Sequence, residues 1–132
     1  MNDDSVSPTL LEQLPIEIFY QIFAFLHLQE VTKAFLGLNS YIDTIVKSII
    51  NVNHIIKYDD ANAIDLLHLF ANRIARLVII RSETIHFTSL INLRSLILKH
   101  GTAEQFNSIR PEYLPRLQIL HIYIGESYEN LS

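Results

Sequence analysis

Three short runs of this chain share one spacing of apolar residues. They are Ile74-x-x-Leu77-x-Ile79, Leu93-x-x-Leu96-x-Leu98 and Leu117-x-x-Leu120-x-Ile122, and successive runs are 19 and 24 residues apart. The last two apolar positions of each run are two residues apart, the period at which strand side chains return to one face. Each run therefore reads as a short strand with an inward pair of Leu or Ile, and the residues between the runs must carry the chain back to start the next strand. A chain committed to this pattern needs apolar material to bury. It has 19 leucines and 20 isoleucines in 132 residues, and only 18% charged residues. Such a balance excludes a disordered chain, which combines low hydrophobicity with high charge.

The last two runs align further, with Leu90-Ile91-Asn92-Leu93 over Leu114-Pro115-Arg116-Leu117. The L-x-x-L-x-L core and the steps of 19 and 24 residues resemble leucine-rich repeats, whose period is about 20–29 residues, the first step being slightly short. An ordinary βαβ arrangement with buried strands is the other reading of the same pattern. The Asn or Cys that usually follows in each repeat is not in register, so any repeats are degenerate. In such repeats outward-facing strand positions recognise partners. Here these include Arg76, Arg94, Ser95, Gln118 and His121, which otherwise form a plain solvated surface. The arginines of this half suit acidic or phosphorylated segments.

Before residue 50 the apolar period is helical. Leu14, Ile18, Ile22, Phe23 and Leu26 fall on one helix face, with Glu17 and Gln21 off it. Thr9 and Glu12 can form a capping box ahead of them, and Pro15 suits a first helical turn. A second helix is predicted over Gln29–Leu38, with Val31, Phe35 and Leu38 on one side, broken by Gly37 and Asn39. Ser40 and Asp43 form another capping pair before a third helix, from Tyr41 to about Ile50. Asn51 to Asp60 reads as a partly buried connection. A helix then covers Ala61 to Phe70, capped by Asp59-Asp60.

The string Leu14-Pro15-x-Glu17-Ile18-x-x-x-Ile22-Phe23-x-x-Leu26 resembles the F-box, the module that docks substrate receptors onto the Skp adaptor of cullin–RING ubiquitin ligases. The resemblance covers about residues 12–50, and Leu38-Asn39-Ser40-Tyr41 resembles the end of some F-boxes. Many members carry a Trp near the start of the third helix, after a Cys; this chain has neither, and Tyr41 or Ile42 would fill that place. The resemblance implies a mainly α N-terminal three-helix F-box, followed by an α/β leucine-rich-repeat-like segment with short parallel strands. It implies a flexible tail over 1–9, an F-box over 10–50, a linker and helix over 51–72, and a repeat-like segment over 73–132 that reads as the start of a longer recognition module. The adaptor would be met by Leu14, Pro15, Glu17, Ile18, Ile22, Phe23, Leu26 and Val31. The repeat half would hold the protein to be ubiquitinated. An F-box-like scaffold with no ligase attachment is the alternative.

The remaining residues argue against other classes. With no cysteine the chain has no thioester or thiol chemistry, so any part in ubiquitin transfer is non-catalytic. The six histidines show no i, i+4 pair and no H-E-x-x-H, so neither metal nor cofactor is expected. Three glycines cannot supply a phosphate loop or a G-x-S-x-G elbow. Residues 1–60 carry 3 Lys and 8 acids, and residues 61–132 carry 6 Arg, 1 Lys and 6 acids. No basic block is dense enough for a nucleic-acid backbone. No apolar run reaches the roughly 18 residues of a membrane helix, and the N-terminus is unlike a signal peptide. These features point to the cytoplasm or nucleus. Asn130-Leu131-Ser132 matches a glycosylation sequon only in form.

Overall fold

The computed structural model describes residues 13–124. Helices α1 (Ile16–Phe23), α2 (Leu28–Phe35) and α3 (Ser40–Ser48) lead into strand β1 (Val52–Lys57). Then come α4 (Ala61–Phe70), β2 (Ile74–Ile80), β3 (Ser95–Lys99), α5 (Ala103–Asn107) and β4 (Ile119–Tyr123). The Thr9/Glu12 cap, the tail over 1–9 and the 130–132 sequon lie outside the described residues.

The strands form one all-parallel sheet in the order β1-β2-β3-β4. Parallel neighbours need crossovers, which are almost always right-handed. Because strand order follows chain order, every crossover falls on the same face. Along β1, β2 and β3, buried and partly exposed residues alternate accordingly. Leu77, Leu96 and Leu120 share one rung, and Ile79, Leu98 and Ile122 share another two residues on. The first two residues of each rung are buried beneath α4 (Ala63, Leu66, Leu67, Phe70) and the 81–94 segment (Ile85, Phe87, Leu90). Among the described residues the opposite face carries no helix.

These crossovers correct the expectation of a mainly helical three-helix F-box joined to a separate leucine-rich-repeat-like segment. The described residues form an α/β fold with five helices and a four-stranded parallel sheet. A single apolar core contains Phe19, Phe23, Leu28, Val31, Ile42 and Ile45 from the first three helices, together with Ile56, Leu77, Leu96 and Leu98 from the sheet. Helices of eight or nine residues are marginal alone and bury too little among themselves. They complete their burial against the sheet. The unforeseen strand β1 makes this possible, starting four residues after α3 inside the stretch read as a connection.

Local details differ as well. α2 begins at Leu28, with His27 and Glu30 capping it reciprocally. α3 is capped by Asn39, whose Oδ1 accepts from Ile42 N at 2.8 Å; Asp43 instead accepts from Gly37 N at 2.6 Å. Asp60 caps α4 by accepting from Asn62 N at 3.0 Å.

Each of the first three strands ends in a left-handed residue: Tyr58 (φ 56°), Arg81 (φ 53°) and His100 (φ 59°). Their amides continue the ladder, Tyr58 N to Ile80 O at 2.9 Å, Arg81 N to Lys99 O and His100 N to Tyr123 O, both at 3.0 Å. Buried polar groups tie the turns together. Ser82 Oγ accepts from Asp59 N at 3.0 Å, and Gln105 Nε2 donates to Ser82 O at 2.8 Å and Ile85 O at 3.2 Å.

Candidate docking surfaces

Two surfaces carry the candidate residues. The first is α1 with the turn after it. Pro15 precedes the helix at φ −61°, close to the value its ring imposes, and so presets the entry of the chain. Phe19 and Phe23 face inward. Phe23 stacks edge-on against Phe35 at 5.2 Å between centroids, and Phe19 meets Phe35 and Tyr41, each at 6.4 Å. This aromatic cluster fixes the rotation of α1 and thereby what it shows to solvent.

The exposed apolar residues of α1 are Ile16, Tyr20 and Ile22, followed in the turn by Phe25, which is 88% exposed. Leu14, Ile18 and Ile22 succeed one another at four-residue steps, which places neighbours on one side of a helix. Leu14 and Ile18 are half-buried, while Pro15, Glu17 and Ile22 are exposed and Leu26 packs partly on the core. Phe23 (6% exposed) and Val31 (1%) are core residues, so a partner meeting the described surface does not reach them. Both were among the eight expected contacts. Phe25 was missed because the family string leaves its position open; its place three residues past Ile22 was the available signal. In the slot left by the missing Trp, Ile42 is buried and Tyr41 is partly exposed.

The second surface is the bare face of the sheet. Register places Asn53, Arg76, Ser95 and Ile119 on one row, then Ile55, Val78, Ile97 and His121, then Lys57, Ile80, Lys99 and Tyr123. Of the expected recognition residues, Arg76, Ser95 and His121 stand on this face. Arg94 and Gln118 are exposed one residue before β3 and β4, joined by Gln118 N donating to Arg94 O at 2.8 Å. Asn53, Lys57 and Lys99 were missed, two of them because β1 was not read as a strand.

Arg76 links the two surfaces. Its Nη1 donates to Asn53 Oδ1 at 3.2 Å, and Asn53 Nδ2 donates to Ala24 O beyond α1 at 3.3 Å. An open cleft of about 490 Å³ there is lined by His27, Asn53, Arg76, Ser95 and Ile97. A second, of about 430 Å³, runs from Arg76 to Tyr20 and Ile50.

His54 lies beneath this region on the buried face. Its Nε2 is 2.8 Å from Ala63 O, so the neutral ring donates from Nε2, and Nδ1 has no hydrogen-bond partner. Burial lowers its pKa below the ordinary histidine value. The charge of His27 acts in the same direction, against the Ala63 hydrogen bond and the Asp60 charge. The Asp60 carboxyl is lowered first by the hydrogen bond from Gln29, then by backbone amides. Among the described residues no cluster of His, Cys, Asp or Glu is placed to hold a metal ion. No described helix is long and apolar enough to cross a membrane.

No family model, curated protein or solved structure matches the chain. The surfaces must therefore speak through their own chemistry. One displays apolar side chains beside a proline-set helix start, and the other mixes cations with an apolar row.

Proposed function

We propose that the chain is a non-catalytic substrate adaptor of an SCF-type (Skp–cullin–F-box) ubiquitin ligase, acting in the cytoplasm or nucleus. On this reading the α1 surface docks on the Skp adaptor, and the bare sheet face holds the protein to be ubiquitinated. One observation carries the proposal: the helix opened by the F-box-like Leu14-Pro15 pair leaves Ile16, Tyr20 and Ile22 facing solvent, with Phe25 exposed in the turn that follows. Apolar side chains concentrated on a short helix mark a partner surface and suit helix-in-groove docking.

The test is co-expression with a Skp adaptor and co-elution of the pair. Ile22→Ala and Phe25→Ala should each weaken the complex by about 2 kcal/mol, because anchors of this kind carry most of the binding energy. Neither residue is buried, so the variants should remain folded. Absence of co-elution with folded wild type would remove the ligase reading.

A second reading, a scaffold protein without ligase attachment, is favoured by the burial of Phe23 and Val31 in the chain's own core. It predicts no co-elution and no effect of either variant on any adaptor.

A further inference from the structure

The bare sheet face has twelve outward positions over three rows, and none is Asp or Glu. Three are permanent cations: Lys57, Arg76 and Lys99. In a chain with net charge −4, a face without acids is a local reversal of sign. The nearest acids along the chain, Asp59 and Glu83, lie past the strand ends, and Asp59 Oδ1 accepts from Thr84 at 3.1 Å.

The cations are ordered. Arg76, with Asn53 and Ser95, lines one side of the row Ile55–Val78–Ile97, and Lys57 and Lys99 line the other. Two residues of strand separate adjacent outward rows, so the flanking rows stand about 13 Å apart. An α-helix with its side chains is about 10–12 Å wide. Laid across the strands along the apolar row, it would bring its lateral positions over both cationic rows. An extended segment fits less well, because its alternate side chains point down and up rather than sideways.

We infer that this face binds an acidic amphipathic helix, with an apolar stripe seated on Ile55, Val78 and Ile97 and carboxylates on both flanks meeting Arg76 on one side and Lys57 and Lys99 on the other. Arg76 is held by Asn53 Oδ1 at the mouth of the 490 Å³ cleft. That geometry leaves the rest of its planar guanidinium to take a carboxylate. A nucleic acid is a poorer occupant. Three cations give few phosphate contacts, and the apolar row would meet a charged backbone. The inference rests on the adaptor reading only in calling the bound helix a target.

The probe is a phage library of 16-residue helical peptides with a fixed Leu stripe and flanking positions randomised among Asp, Glu, Lys, Arg, Gln and Ser. Selection on the wild-type chain should enrich acids over bases at the flanks by at least about tenfold, with affinity falling as salt is raised. Arg76→Glu with Lys99→Glu should abolish the enrichment, and Arg76→Gln with Lys99→Gln should reduce it. Lys33→Glu, a single charge reversal on α2 away from this face, should leave it intact. Thermal melts identify any variant that fails to fold, in which case the Gln pair decides. Neutral or basic flanks, no enrichment on wild type, or enrichment that survives both pairs would overturn the inference. So would tighter binding of a 20-nucleotide polyuridine than of the selected peptides at about 0.15 M salt. Co-elution with a Skp adaptor reports on α1, so its failure is distinguishable from failure here.

Discussion

Strands β1 and β3 fill corresponding slots in one sheet, yet they are built from different material. β3 turns Leu96 and Leu98 inward, both fully buried; β1 turns His54 and Ile56 inward, also almost fully buried. His54 stands on the rung of Leu77, Leu96 and Leu120. A leucine there needs nothing but apolar neighbours. A histidine needs partners for two ring nitrogens and has one, Ala63 O. The slot thus accepts a polar residue where α4 turns a backbone carbonyl towards it, at the cost of a bare Nδ1.

The largest expected effect comes from breaking the apolar member of the pair. Leu96→Ala removes a fully buried side chain from the centre of the core and should cost about 3 kcal/mol, transfer and cavity together. Chemical denaturation reads this directly, as a lower midpoint at an unchanged slope. A loss under about 1 kcal/mol would mean that the sheet does not depend on this rung.

Making β1 resemble β3 is the next test. The folded-state pKa of His54 lies below its unfolded value of about 6.5, so folding favours the neutral ring. Its contribution is intact above pH 6.5. Below that, the unfolded chain takes up the proton first, and stability falls by up to about 1.4 kcal/mol per pH unit until the folded-state pKa is reached. His54→Leu removes both the titration and the unpartnered Nδ1. It should be near-neutral or stabilising at pH 7 and should flatten the decline that sets in below about pH 6.5. Thermal unfolding of both proteins across that range checks it. Parallel declines would place the acid sensitivity elsewhere.

The same contrast explains what could be read from the residues alone. β2, β3 and β4 were legible because Leu or Ile repeats at strand period, and α4 because Asp60 caps an apolar period that ends at Phe70. β1 was hidden because Asn51, Asn53 and His54 break the apolar run, and His54 is tolerated only through a contact nine residues away in sequence. Missing β1 also split the fold. Without it, the first three helices have nothing to pack on and read as a module of their own. For the candidate surfaces, helical periodicity found the Leu14–Ile18–Ile22 line, half-buried at Leu14 and Ile18 and exposed at Ile22. It could not tell which edge of α1 turns inward, because Phe19, at an open position of the family string, anchors the aromatic cluster that sets the rotation. The sheet face was half legible, since Lys57 and Asn53 join Arg76 only once β1 pairs with β2.

The smallest expected effect concerns what the two strands share. Both end in a left-handed residue, Tyr58 after β1 and His100 after β3, and neither is glycine. A side chain in that region costs about 1–2 kcal/mol, whereas glycine adopts it freely but loses about 0.5–1 kcal/mol of extra unfolded-state freedom. Tyr58 is largely exposed, so Tyr58→Gly trades these two terms and little else, and should change stability by no more than about 1 kcal/mol, on the stabilising side. Lys57→Gly, one residue earlier and still in the strand, has no strain to relieve and should cost about 1 kcal/mol. The comparison of the two denaturation midpoints marks where β1 ends. If both substitutions cost the same, the left-handed turn is not what closes the strand, and the likeness between the ends of β1 and β3 fails.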